Sequence, residues 1–81
     1  MTTYEKIAPI IFETYGETEW GRSLAEYLVT KIEAWPNRVQ PSYYADTRED
    51  MVRLTCWDWF SGGSTAEYVA KKIEAVLNEE S

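Results

Sequence analysis

Two segments of the chain resemble each other, and each has the pattern of an amphipathic helix. Residues 23–37 read SLAEYLVTKIEAWPN and residues 64–78 read STAEYVAKKIEAVLN, with nine of fifteen aligned positions identical. Apolar residues recur in both at the spacing of a helical turn. The pattern predicts helices over 23–35 and 64–78. The first should end before Pro36, because the residue preceding a proline avoids helical backbone angles.

Both segments begin with the spacing of a capping box. Ser23 precedes Glu26 by three residues, and Ser64 precedes Glu67 in the same way. In a capping box the serine hydroxyl accepts a hydrogen bond from the third helical amide, and the glutamate carboxylate accepts one from the serine amide. A glycine two residues before each serine indicates a chain break. The sequence therefore predicts that the two helices are capped at Ser23 and Ser64.

The two segments are 41 residues apart, which is half of the chain. A chain of 81 residues has the size of a single domain. One interpretation is a duplicated helical hairpin that divides the domain into residues 1–40 and 41–81. The other is convergence, since capped amphipathic helices use few residue types. A duplication predicts equal burial at aligned positions. Ile32 and Ile73 should both be buried, and Glu33 and Glu74 should both be exposed to water.

Residues 51–60, MVRLTCWDWF, fit either a helix or a strand. Thr47, followed by acidic residues, is a helix start, and Gly62 is a helix stop. As a helix, the segment carries apolar residues around its whole axis and should be buried on most sides. As a strand, it alternates apolar and polar residues over 52–56 and is rich in residues that favour strands. The end signals favour the helix.

The same question arises for residues 4–15, which end before Gly16. Pro9 weakens a helix here unless the regular turns start just before it, because proline lacks an amide proton and its ring crowds the preceding turn. Taken together, the segments predict an all-α fold, namely a small four-helix domain. If the chain arose by duplication, this domain consists of two repeated helical hairpins. The alternative is an α+β fold with 51–60 as a strand.

Most catalytic and metal-binding chemistry is excluded by what the sequence lacks. It contains no histidine, which removes serine–histidine and cysteine–histidine nucleophiles and most zinc sites. The single cysteine, Cys56, can form neither an internal disulfide nor a thiolate cage, and we expect it in the core. Residues 61–64, SGGS, lack the lysine of a phosphate-binding loop. We therefore expect no enzymatic activity, no cofactor, no metal and no small-molecule substrate.

The net charge of −6 restricts the class of partner. It opposes contact with the phosphate backbone of nucleic acids and with anionic lipid, and it suits a basic protein. No stretch reaches the ~18 apolar residues of a membrane-spanning helix. Residues 1–6, MTTYEK, do not have the basic-then-apolar order of a secretion signal. Together with the lone cysteine, these features predict a cytoplasmic protein.

The aromatic residues provide the one candidate binding site. The chain has four Trp, six Tyr and two Phe, and Trp and Tyr are the usual anchors of protein interfaces. Three large rings over residues 57–60 cannot all face one way, so at least one should face solvent or another chain. The alternative is that these rings form the core. The candidate partner-binding residues are Tyr43, Tyr44, Glu49, Asp50, Trp57 and Trp59, the tyrosines lying in the long loop 36–46.

These observations predict a small acidic protein-binding module. It would act as an inhibitor or adaptor on a basic or nucleic-acid-binding protein, with the short acidic form common among phage and plasmid accessory proteins. The alternative is a homo-oligomer, in which self-association completes a core too small for an isolated domain.

Overall fold

The computed structural model describes residues 1–35 and 45–79, which form four helices and no strand. The expected all-α fold is confirmed. Residues 51–60 and 4–15 are both helical, so the α+β alternative is wrong. The helices are α1 over Thr3–Tyr15, α2 over Glu19–Ala34, α3 over Arg48–Phe60 and α4 over Gly63–Asn78.

Threonine caps begin the first three helices. The hydroxyl oxygens of Thr2, Thr18 and Thr47 each accept a hydrogen bond from the backbone amide three residues later, at 3.0–3.1 Å. Such a cap satisfies one of the amides that have no partner within the helix. In α1 the carboxylate of Glu5 also accepts from the Thr2 amide at 2.8 Å, which completes a capping box. The cap predicted at Thr47 is confirmed.

The capping boxes predicted at Ser23 and Ser64 are wrong. Helix α2 begins at Glu19, because Thr18 caps it and the chain is already helical where Ser23 stands. Helix α4 has Gly62 as its N-cap residue, with φ of 72° and no side-chain cap, and Ser64 lies one residue inside the helix. The left-handed conformation of Gly62, which favours glycine, turns the chain directly from α3 into α4.

Pro9 lies in the middle of α1, so the regular turns do not start just before it. The helix begins six residues earlier, at Thr3, where the Thr2 capping box fixes its first turn. Pro9 has no amide proton, so the carbonyl of Glu5 loses its usual donor. The proline is exposed, whereas its neighbours Ile7 and Ala8 are buried. Burial of the opposite face therefore holds the helix together through the proline.

Gly21 lies within α2 and provides clearance instead of a chain break. It is buried, and a Cβ atom at this position would overlap the carbonyl oxygen of Gly16. Gly16 ends α1 with φ of 97°, a conformation that favours glycine. The turn between α1 and α2 thus packs directly on the first turn of α2.

The four helices enclose one apolar core. Helix α1 packs against α2 and α4, and α3 packs against α4, whereas α2 and α3 share a smaller surface. None of the helices in the described residues has the length and apolar character needed to cross a membrane. Cys56 is fully buried, which confirms its expected place in the core. The core residues are Ile7, Ala8, Ile11, Leu24, Ala25, Leu28, Ile32, Met51, Val52, Cys56, Ala66, Val69, Ala70 and Ile73.

The internal repeat stays a prediction. Ile32 and Ile73 are both buried, as a duplication requires. Glu33 is exposed, whereas Glu74 is half-buried in an ion pair. The helices also begin 44 residues apart, at 19 and 63, and not at the 41-residue offset of the sequences. The similar segments therefore share a buried face but do not occupy the same place in their helices.

The ion pair of Glu74 joins the start of α3 to the end of α4. The Nε and Nη2 atoms of Arg48 donate to both carboxylate oxygens of Glu74 at 2.6–3.0 Å, and Nη2 also donates to Asn78 Oδ1 at 3.4 Å. The hydrogen bonds to Glu74 raise the pKa of Arg48. The expectation that Glu74 lies in water is wrong, because α3 begins with an arginine directly opposite it.

Candidate aromatic interface

Five aromatic rings from three helices contact one another where α1 ends, α2 begins and α3 ends. We call this group the aromatic surface, and it lies along the smaller contact between α2 and α3. Its members are Tyr15 of α1, Trp20 and Tyr27 of α2, and Trp59 and Phe60 of α3.

Trp59 is at the centre of the aromatic surface. The ring centroid of Trp20 lies 4.6 Å from that of Trp59, with the planes tilted by 36°, and the centroid of Tyr27 lies 5.5 Å from it. The indole Nε1 of Trp20 also donates a hydrogen bond to the carbonyl oxygen of Trp59 at 3.3 Å. Trp59 is therefore half-buried beneath its neighbours. Trp20 is joined to α3 by this hydrogen bond and by its ring contact, yet 53% of its surface is exposed.

Tyr15 and Phe60 extend the aromatic surface toward the core. Their rings stack at 4.2 Å with an angle of only 7° between the planes, and Phe60 meets Trp20 edge-on at 6.4 Å. Tyr15 and Phe60 are half-buried and pack on core residues. The exposed ring of Trp20 is thus connected through Phe60 to the folded interior.

The Tyr15 hydroxyl lies against the Cys56 thiol. The hydroxyl is buried and forms no hydrogen bond of ordinary geometry within the described part of the chain, but it is close enough to the thiol for each group to affect the other's ionisation. Burial raises the pKa of Cys56 to about 12. Burial, and next the nearby thiol, raise the pKa of Tyr15 to about 12 as well. Both groups are neutral at pH 7, so Cys56 is a core residue without nucleophilic character.

Carboxylates stand immediately before three of the rings. Glu19 precedes Trp20, Glu26 precedes Tyr27 and Asp58 precedes Trp59; all three acids are exposed. Glu19 and Glu26 are seven residues apart on α2, so they form a row beside the row of Trp20 and Tyr27. A cation also contacts these rings: Lys31 Nζ lies 5.3 Å from the centroid of Tyr27. The aromatic surface therefore has an acidic margin along α2.

Neither protein-family models, nor curated proteins, nor solved structures gave a match to the chain. The described residues also contain no group of three His, Cys, Asp or Glu side chains that could hold a metal ion. What the aromatic surface does is therefore inferred from its own geometry and charge.

Trp57 lies outside the aromatic surface. It is two residues before Trp59, which places it about 200° away around the axis of α3. Its exposed fraction is 54%, and its ring contacts no other aromatic ring in residues 1–35 or 45–79. The expectation that at least one ring of 57–60 faces away from the core is confirmed.

The predicted partner-binding residues are spread over α3. Glu49 and Asp50 lie in its first turn, where Asp50 is 3.7 Å from Arg53. Asp50 and Trp57 are seven residues apart, about 10 Å along one side of the helix, whereas Trp59 lies on the other side. The structure thus separates Trp59 from Asp50 and Trp57. Tyr43 and Tyr44 lie outside the described residues, and a binding role for the six residues stays a prediction.

Sequence reasoning missed Trp20, Tyr27 and Tyr15 as members of an exposed cluster. Trp20 was not assigned to a helix, because α2 was expected to begin at Ser23. Once α2 is extended back to its Thr18 cap, the seven-residue spacing places Trp20 and Tyr27 on one side of the helix. The signal was therefore present in the sequence but depended on finding the correct cap.

Proposed function

We propose that this chain is a small, non-enzymatic protein-binding module that presents the aromatic surface to a basic partner, as an inhibitor or an adaptor. The supporting observation is Trp20, which is more than half exposed although its indole is held by the Trp59 carbonyl. Exposed Trp side chains are frequent interface anchors. Because the ring is already oriented, binding loses little side-chain entropy.

The charge supports a basic partner. The chain carries −6 in total, and the acidic margin along α2 adjoins the rings. Complementary charge increases the rate of association and disfavours anionic partners. The cationic surface of a nucleic-acid-binding protein has the required chemistry. We place this activity in the cytoplasm, where a single unpaired cysteine is stable.

A homo-oligomer is the second candidate function. Trp57 favours it, because its exposed apolar ring lies outside the aromatic surface and a second copy could cover it. The net charge opposes it, since two copies would repel each other. Light scattering decides between the two: a mass above 9.4 kDa that falls on dilution supports self-association.

Affinity capture from the native host's lysate tests the main proposal. The bait proteins are the wild type, Trp20→Ala and Trp57→Ala. Trp57→Ala is the matched control, because the two tryptophans have nearly equal exposed fractions, 53% for Trp20 and 54% for Trp57. We expect a basic protein to be captured by the wild type and by Trp57→Ala. With the purified partner, Trp20→Ala should dissociate about 30-fold faster, which corresponds to ~2 kcal/mol.

Paired charge variants locate the binding surface. Neutralising Glu19 and Glu26 removes two charges beside the aromatic surface, and neutralising Glu49 and Asp50 removes two at the start of α3. The first pair should slow association, and added salt should have the same effect on the wild type. If only the second pair slows association, the partner binds α3 near Trp57. If no capture depends on either tryptophan, the proposal is wrong.

A further inference from the structure

We infer that the aromatic surface binds an arginine side chain of the partner, with the guanidinium stacked on the outer face of Trp20. This inference rests on the proposed function and specifies its chemistry. The Trp20 ring packs against Trp59 and Phe60, and 53% of its surface stays exposed. Trp is the aromatic ring that attracts cations most strongly.

An internal contact shows how the aromatic surface receives a cation. Lys31 Nζ lies 5.3 Å from the centroid of Tyr27, which is within the range of cation–π attraction. Tyr27 in turn contacts Trp59, the ring beneath Trp20. The exposed part of Trp20 is therefore a position for a further cation beside the one over Tyr27.

The carboxylates beside Trp20 favour arginine over lysine. Glu17 and Glu19 are both exposed and flank the Thr18 cap directly before the ring. A planar guanidinium can stack on an indole and donate two hydrogen bonds to a carboxylate at the same time, whereas an ammonium provides only a point charge. The same position thus offers both kinds of contact that distinguish arginine.

The arginine should come from another protein. Within the described chain, Arg48 is bonded to Glu74 and Arg53 lies 3.7 Å from Asp50. Arg22 follows Trp20 closely and donates to the Glu17 carbonyl at 3.5 Å. A second copy of this chain would offer the same arginines, which already have partners, and its net negative charge would repel the first copy. A basic peptide segment has no such disadvantage.

A hexaarginine peptide is the probe, with hexalysine as the control of equal charge. The protein is labelled with ¹⁵N, and the indole N–H signals are followed during titration. We expect hexaarginine to bind several-fold more tightly than hexalysine and to shift the Trp20 signal most. Trp20→Ala should weaken hexaarginine about fivefold, and Trp57→Ala should leave it unchanged. Equal binding of the two peptides, or equal losses in the two variants, would overturn the inference.

Two lysine variants test the inference without altering a tryptophan. Lys72 Nζ lies 5.6 Å from the Tyr68 ring, an arrangement like that of Lys31 over Tyr27 but outside the aromatic surface. Lys31→Gln and Lys72→Gln each remove one positive charge. Lys31 lies within the aromatic surface, so removing its charge should strengthen hexaarginine binding about twofold more than removing the distant charge of Lys72. Equal effects of the two variants count against the inference.

Circular dichroism checks that each variant folds, and Trp20→Phe replaces Trp20→Ala if the alanine variant unfolds. If hexaarginine and hexalysine bind equally but partner capture still depends on Trp20, this inference is overturned and the proposed function stands. Loss of both would overturn both.

Discussion

Raising the pH should destabilise this protein through Cys56. The thiol is fully buried in the core, and burial raises its pKa from an ordinary value of 9.0 to about 12. The folded state therefore keeps its proton at pH values where the unfolded state releases it. The associated stability is fully present below pH 9 and is lost as pH rises from 9 toward 12.

The size of this loss follows from the two pKa values. At pH 10 the thiol of the unfolded chain is one unit above its ordinary pKa, while the folded thiol remains protonated. The free energy of unfolding should then fall by about 1.4 kcal/mol relative to pH 7. Tyr15, whose pKa is also raised to about 12, acts in the same direction. Its contribution at pH 10 is smaller, because its ordinary pKa is 10.0 and it is only half-buried.

Urea unfolding monitored by tryptophan fluorescence measures the effect at pH 7 and pH 10. Cys56→Ala is the control, since Cys56 is the only cysteine and the other groups that titrate near pH 10 are kept. The wild type should lose about 1.4 kcal/mol more than Cys56→Ala over this interval. At pH 10 the absorbance of the folded wild type near 240 nm should equal that of folded Cys56→Ala, because both contain the same tyrosines and neither contains a thiolate. Equal losses in the two proteins, or a native thiolate signal, would refute the reasoning.

Three further predictions concern stability and are measured by urea unfolding at pH 7. Thr18→Ala should lose about 1 kcal/mol with its cap, while Ser23→Ala, inside α2, should change stability by less than about 0.5 kcal/mol; equal losses would restore the capping box at Ser23. Glu74→Gln should lose about 1–2 kcal/mol because Arg48 loses its charged partner, and the exposed Glu33→Gln should be neutral. Pro9→Ala should gain about 1–3 kcal/mol by returning an amide donor to α1, and a loss would show that the proline fixes a needed bend.

The helical class of this fold could be predicted from its sequence. The residues that start and stop helices agree with the spacing of the apolar residues between them. Thr47 caps α3 as predicted, and the apolar spacing of 64–78 matches the buried face of α4. For residues 51–60 the same signals correctly outweighed a preference for strand. Local hydrogen-bonding chemistry was sufficient at Thr47 but not at Ser64, because Gly62 is the N-cap residue of α4.

The start of α2 was predicted wrongly at Ser23, because the cap in the structure is Thr18. Ser23 with Glu26 has the better motif, but Thr18 lies upstream, and Gly21 resembled a break between them. Only the packing of the α1–α2 turn explains why a helix continues through that glycine. An error of one helical turn removed Trp20 from α2 and with it the candidate surface.

Partner-binding residues were also chosen by proximity in sequence, which a helix does not preserve. Trp57 and Trp59 are close in the chain but lie on different sides of α3. Trp20 and Trp59 are 39 residues apart, yet their rings are in contact. The grouping of rings into a surface depends on how α2 and α3 pack, and that information is not contained in either segment alone.

Gly21 also gives a criterion for recognising relatives of this chain. Any side chain there would collide with the backbone of the α1–α2 turn, whereas a Cβ at Gly63 would meet no atom within 4 Å. Relatives that retain this hairpin should therefore have glycine at the position of Gly21 and vary freely at that of Gly63. A homologue with a larger residue at the first position should have a longer or rebuilt turn between its first two helices. The turn and the helical glycine should thus change together in evolution.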